Sequence, residues 1–252
     1  LKVEAPPVGR RGLLILDFDG TLWRGDGPLL AYAEAVADEL PDDLRAGYLQ
    51  RVVAFLAGDR WGAAAGGLPP ADGWAAVAEF AAPLGLSAER RQAAFLATRA
   101  RIAEGEFLLE VPDGLPAFLE SSRAECGLVL ASNSPASSVE PVLDHLGLSS
   151  LFDAVVCGAG KPAGLAELGA AWQARTGLPS ERIMSVGDHY PNDIAPAVAA
   201  GWASTYISPW RVVPGPCSVV GTSMEEVLPP LRGWVRTIVA AEGRTWERSS
   251  SG

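Results

Sequence analysis

The apolar residues of this chain follow two rhythms. In the first, short unbroken runs end in polar clusters. Leu13-Leu14-Ile15-Leu16 leads into Asp17-Phe18-Asp19-Gly20-Thr21-Leu22, and Leu128-Val129-Leu130-Ala131 into Ser132-Asn133-Ser134. Ala154-Val155-Val156-Cys157 leads through a Gly-rich turn to Lys161-Pro162, and Ile183-Met184-Ser185-Val186 into Gly187-Asp188-His189-Tyr190-Pro191-Asn192-Asp193. Runs of this length bounded by turn residues predict buried strands, here 13–18, 127–131, 154–157 and 182–186, with a further one at Ser204–Ile207. Helical spacing fills the intervals 115–124, 135–146, 165–176, 193–200 and 225–241, with Pro141 expected to kink its helix or lie in its first turn. Strand alternating with helix predicts right-handed βαβ units, hence an α/β, Rossmann-like parallel sheet flanked by helices. The stretch from Pro209 to Pro216 is expected to be a stiff loop, and residues 244–252 a disordered tail.

The second rhythm occupies residues 24–111, which are Ala-rich, helical in period and without a convincing strand. Pro41-Asp42-Asp43 should break or restart a helix within 29–56, and Gly66-Gly67-Leu68-Pro69-Pro70 reads as a loop. Asp72 is placed to cap a helix over 73–84, and Ser87 to cap one reaching about Glu104. Glu110-Val111-Pro112-Asp113-Gly114 marks the return to strand-helix alternation. The expected organisation is a discontinuous α/β core, 1–23 and 112–252, with a small all-helical domain at 24–111. No internal repeat is present.

Four strand ends with polar clusters lie along the carboxyl edge of such a sheet, where open α/β sheets bind ligands. Side chains two apart on a strand share a side, so Asp17 and Asp19 are expected to face one point. Two carboxylates held that close need a cation or a shared proton. Gly20 lets the chain turn away. The pattern suggests a metal-assisted site with one carboxylate as nucleophile and the other as acid/base. The Ser132 hydroxyl, the Lys161 ammonium and the acidic pair Asp188 and Asp193 would converge on it.

Charge sharpens this picture. A formal net charge of −10 over 252 residues argues against nucleic acid as a partner. Among 20 basic residues only Lys2 and Lys161 are lysine, so an internal lysine at that strand end suits a compact charge touching carboxylate and anion together. The longest apolar runs are too short to span a membrane, and Leu1–Arg11 has no apolar signal-peptide core, so a cytoplasmic enzyme is expected. Cys126, Cys157 and Cys217 are scattered without a Cys-x-x-Cys, which indicates neither disulfides nor zinc.

With these clusters in this order, the chain resembles the haloacid dehalogenase superfamily, in its phosphatase-like branch. The resemblance rests on Asp17-Phe18-Asp19-Gly20-Thr21-Leu22, Ser132-Asn133, Lys161, and Gly187-Asp188 with Asn192-Asp193, and covers residues 12–22 and about 112–230. It implies a Mg²⁺-dependent phosphatase for a small phosphoester, with the insert as a mobile cap that closes over the active site. Asp17 is then the nucleophile that becomes an aspartyl-phosphate. Asp19 protonates the leaving oxygen and later takes a proton from water. Ser132, Asn133 through its backbone N–H, and Lys161 hold the phosphoryl group. Asp17, the backbone carbonyl of Asp19, and Asp188 hold the metal, with Asp193 orienting a water or Lys161 and Asn192 beside them.

A sugar-phosphate mutase would share every one of these core residues and is the alternative, with a non-catalytic phosphometabolite-binding protein behind it. Dehalogenation has no use for a leaving-group acid at Asp19. Phosphonoacetaldehyde hydrolysis in this family uses a cap lysine, and 24–111 contains none. His189 reads as a bystander and His145 as structural. Arg60-Trp61, Arg99, Arg101, Trp23 and Trp210 are candidates for substrate recognition, weighed against an ordinary solvated helix face for the arginines.

Overall fold

A computed structural model of the chain describes residues 9–59 and 69–249, with the side chains of 241–249 left aside. Arg60 and Trp61 lie outside the described residues. The chain divides into two compact units, one comprising residues up to Arg24 and from Val111 on, the other Gly25–Glu110.

The first unit is a six-stranded sheet, parallel throughout, in the order β3-β2-β1-β4-β5-β6. Its strands are β1 (Gly12–Leu16), β2 (Cys126–Ala131), β3 (Ala154–Val156), β4 (Ile183–Gly187), β5 (Ala203–Ile207) and β6 (Val219–Gly221). β1, β2 and β4 are buried at every residue. They read as unbroken apolar runs because helices cover both faces. Leu13, Ile15, Val129 and Ala131 pack with Leu165 and Trp172 on one face. On the other, Gly12 lies so close to Ile238 that a Cβ there would meet its Cδ1 at 2.7 Å. Glu225 ties together the two points where the chain leaves and re-enters this unit. Its Oε1 accepts from Arg24 Nη1 at 2.7 Å and from the Asp113 N–H at 3.2 Å.

The second unit is all-helical among the described residues: α1 (Gly27–Asp38), α2 (Asp42–Leu56), α3 (Gly73–Ala81) and α4 (Ala88–Ala103). Its helix starts follow local chemistry. The Asp72 carboxylate accepts from the Ala75 N–H at 2.6 Å, and the Ser87 hydroxyl accepts from the Arg90 N–H at 3.3 Å. Phe55 and Phe80 meet edge-on, and the buried Tyr48 hydroxyl donates to the Val77 carbonyl at 3.0 Å.

The remaining helices are α5 (Leu115–Ser122), α6 (Ala136–His145), α7 (Ala163–Thr176), α8 (Ala195–Ala199) and α9 (Met224–Ser249). Of the two placements expected for Pro141, the first turn is excluded, since it sits further inside α6. Two features depart from expectation. α9 continues to Ser249 where a disordered tail was expected from 244, because Arg244, Glu247 and Arg248 are helix formers that propagate a helix already nucleated on the sheet. β6 was not foreseen, its three residues being too short to print a pattern. No helix among the described residues is long and apolar enough to cross a membrane.

Candidate active site

β1 lies at the centre of the sheet, with β2 on one side and β4 on the other. The chain builds outward through β2 and β3, then returns to β4 across β1. That reversal opens a crevice at the carboxyl end of β1. Asp17 is the first residue past β1, and its N–H donates to the Val186 carbonyl at 2.9 Å, extending the ladder by one bond. The chain then turns at once: the N–H groups of Thr21 and Leu22 both donate to the Phe18 carbonyl, over a fully buried Phe18 ring. Asp17 and Asp19 therefore stand on the shoulders of a turn and not along a strand, which corrects the expected strand 13–18. Gly20 is required twice. Its φ is +72°, and a Cβ there would lie 2.1 Å from Asp188 Oδ2.

Lys161 is the electrostatic hub. Its side chain is 3% exposed, and its Nζ donates to Asp17 Oδ1 and to Asp193 Oδ1, each at 2.6 Å. Burial alone would lower the ammonium's pKa, but the two carboxylates outweigh it and raise it above its ordinary value. Asp193 is fixed on its other side too, Oδ2 accepting from the His189 N–H at 3.1 Å. The single wide, π-helical turn Tyr190–Ile194 brings Asp193 over Gly187, where a Cβ would meet its carboxylate at 2.4 Å. Asp193 is thus locked behind the lysine.

The turn after β2 supplies the opposite wall. Asn133 grips the backbone of Lys161 from both sides. Its Nδ2 donates to the Lys161 carbonyl at 3.1 Å, and its Oδ1 accepts from the Lys161 N–H at 2.7 Å. With the side chain so occupied, the backbone is what Asn133 has left to offer a ligand. Ser132 is buried, and its Oγ accepts from the Ser134 N–H at 3.0 Å, leaving its own proton to be donated. Ser134 was not among the residues singled out from the sequence. Its hydroxyl donates to Asp19 Oδ2 at 3.1 Å across 115 positions of chain. No local signal announces it, since Ser-Asn-Ser reads as ordinary turn chemistry.

The other candidates divide. His189 is a cap: its Nδ1 accepts from the Asn192 N–H at 3.3 Å, which holds the start of the turn carrying Asp193. Asn192 enters through that N–H. His145 is the last residue of α6. Trp23, proposed for the mouth of the site, is 3% exposed and packs edge-on against Phe18. Trp210 lies on the half-buried loop after β5. Within the helical unit Arg99 is no solvated charge. It is buried, its guanidinium 5.6 Å from the centre of the Trp74 ring. Arg101 is exposed and paired with Glu106 at 2.7 Å.

Asp17, Asp188 and Asp193 each place a carboxylate oxygen within 4.8 Å of the others. Burial, and then the charges of Asp193 and Asp19, push Asp17 up to about 7 in spite of Lys161. Such a cluster, with Asp19 at its edge, gathers carboxylates around the Lys161 ammonium. The all-oxygen donor set fits a hard divalent cation. Asp193 directs one oxygen to Lys161 and the other to the His189 N–H, and Asp17 and Asp188 are carboxylates that could hold such a cation.

A family model of the haloacid dehalogenase-like hydrolases matches residues 12–201, which spans every residue of this cluster. The chain belongs to that family. Solved structures of haloacid dehalogenase-family proteins share the fold. YfnB of Bacillus subtilis, assigned as a HAD-hydrolase and solved bound to magnesium, is 18% identical with a TM-score of 0.58, over 88% of this chain and 99% of its own. A predicted phosphoglycolate phosphatase of Haemophilus somnus 129pt is 17% identical with a TM-score of 0.58, over 87% and 97%. A Thermotoga maritima protein assigned as a β-phosphoglucomutase is 20% identical with a TM-score of 0.52, over 88% and 99%. Haloacid dehalogenases share the fold as well. No curated protein matches the chain.

Proposed function

We propose that this family member is a Mg²⁺-dependent phosphatase, hydrolysing a small phosphorylated metabolite through an aspartyl-phosphate on Asp17. Lys161 holds Asp17 by Oδ1. Oδ2 is then the oxygen that attacks phosphorus, in line with the ester oxygen that leaves. Asp19 gives its proton to that ester oxygen as the P–O bond breaks. It then accepts a proton from the water that attacks the phosphorus and frees Asp17. Ser132, the Asn133 backbone and Lys161 bind the phosphoryl oxygens and offset the charge that builds on them. Mg²⁺, held by Asp17, Asp188 and the Asp19 carbonyl, supplies charge neutralisation where an anionic ester meets an acidic site. The residues of Gly25–Glu110 serve as the cap that selects the alcohol.

One observation carries the reading over dehalogenation: a second carboxylate, Asp19, is held by a hydrogen bond beside the Asp17 cluster. A halide leaves as an anion and needs no proton, whereas an alkoxide does. Phosphate release from a panel of phosphoesters, in Mg²⁺ and then in EDTA, tests the proposal. Mg²⁺-dependent release supports it. Phosphate moved to another hydroxyl of the substrate would mark a mutase, and halide release from 2-haloacids would overturn the reading.

A further inference from the structure

Ser134 stands out because it is buried, its N–H, carbonyl and hydroxyl are each hydrogen-bonded, and nothing in the proposed chemistry requires it to touch substrate. It is 4% exposed, within a turn closed by two further bonds. Its N–H donates to Ser132 Oγ at 3.0 Å, and its carbonyl accepts from the Gly158 N–H at 2.9 Å. The neighbouring Ala159 N–H donates to the Ser132 carbonyl at 2.9 Å, so the β2 turn and the loop leading to Lys161 form one braced piece. From that piece the Ser134 hydroxyl donates to Asp19 Oδ2.

We infer that Ser134 is a positioning residue for the acid/base carboxylate: by holding Asp19 Oδ2 it presents Oδ1 to the ester oxygen. This rests on the phosphatase reading and deepens it. A carboxylate on a short side chain at the shoulder of a turn has more than one rotamer open to it, and only one places an oxygen at the leaving group. A hydroxyl that donates to Oδ2 selects that rotamer and keeps Oδ2 as an acceptor, so the proton that is delivered travels from Oδ1. As the Asp17 Oδ2–P bond forms, the P–O(ester) bond breaks. Its electron pair takes the Asp19 proton, and the products are the alcohol and the aspartyl-phosphate. Ser134 also couples the two halves of the site. The braced turn that places Ser132 and Asn133 for the phosphoryl group places Asp19 for the leaving group.

The test compares two esters of unequal need for a proton. An alkyl phosphate must have its leaving oxygen protonated, whereas p-nitrophenyl phosphate expels a stable phenolate unaided. kcat/KM reports only steps up to departure of the alcohol. Ser134→Ala is expected to lower kcat/KM for the alkyl ester by about tenfold to a hundredfold, part of what general acid catalysis contributes. For p-nitrophenyl phosphate the expected loss is within about threefold. Ser134→Cys, nearly the same size and a weaker donor, should give the same selectivity with a smaller loss. Equal losses on both esters, or none on the alkyl ester, would overturn the role of Ser134. Wild-type protein that hydrolyses neither ester would instead remove the phosphatase reading, and the role of Ser134 with it.

Discussion

The two units bury polar groups for opposite ends. In the α/β unit the buried charges face each other: Lys161 sits between Asp17 and Asp193, and each partner is held at a fixed distance. In the helical unit the buried polar groups serve packing. Tyr48 ties α2 to α3, the Thr98 hydroxyl returns to the Ala94 carbonyl of its own helix, and Arg99 lies against an aromatic ring. Concentrating charge costs stability and is retained where chemistry needs it, whereas satisfying isolated polar groups is ordinary core construction. A change in the first unit should therefore register mainly in catalysis, and one in the second mainly in stability.

The largest effect should come from Lys161→Met. Removing the ammonium takes away the charge that holds Asp17 and Asp193 and meets the phosphoryl oxygens, and turnover should fall by at least about a thousandfold in a phosphate-release assay. Retained turnover would sink the comparison. Next is Phe80→Ala in the helical unit, which empties the edge-on contact with Phe55. Its cost is about 3–5 kcal/mol of unfolding free energy, read by chemical denaturation, with Mg²⁺ affinity unchanged. Asp72→Ala removes a helix cap and should cost about 1 kcal/mol, again with no change in Mg²⁺ affinity.

A pH series sharpens the same contrast. Asp17 has an ordinary value of 3.8 and is pushed up to about 7 in the folded, metal-free protein. The folded state thus holds a proton that the unfolded chain has lost, and folding stability declines as pH rises between these values. Metal-free protein should melt at progressively lower temperature through that window, and Asp17→Asn should flatten the decline. Mg²⁺ should bind more weakly below about pH 7, where a proton competes for Asp17, as calorimetry at several pH values would show. A metal affinity flat from pH 5 to 8 would count against this placement of the proton.

The α/β sheet and the all-helical character of the second unit were legible because both are written in local pattern. Four apolar runs and the segment Ser204–Ile207 give five of the six strands, and Asp72 and Ser87 announce their helices through short-range capping bonds. The residues brought together at the crevice were legible in identity, because Asp, Lys and Ser at strand ends are unusual enough to notice. What stayed hidden depends on distant partners. Ser134 gains its meaning from Asp19, and β6 forms because β5 offers an edge. His189 looked incidental until the turn it caps had a shape, and Trp23 looked accessible until Phe18 closed over it. The packing of the helical unit was equally unreadable, since Ala-rich helices carry little information about which faces meet.

Asp17 is proposed to be the nucleophile that takes the phosphoryl group from the ester. Acid-quenching the enzyme during turnover of a phosphoester with Mg²⁺, then mapping the digest by mass spectrometry, tests this directly. A phosphoryl group on the peptide containing Asp17, absent from Asp17→Asn, is the predicted result. Rapid phosphate release by Asp17→Asn, or a phosphoryl group found on another residue, would contradict it.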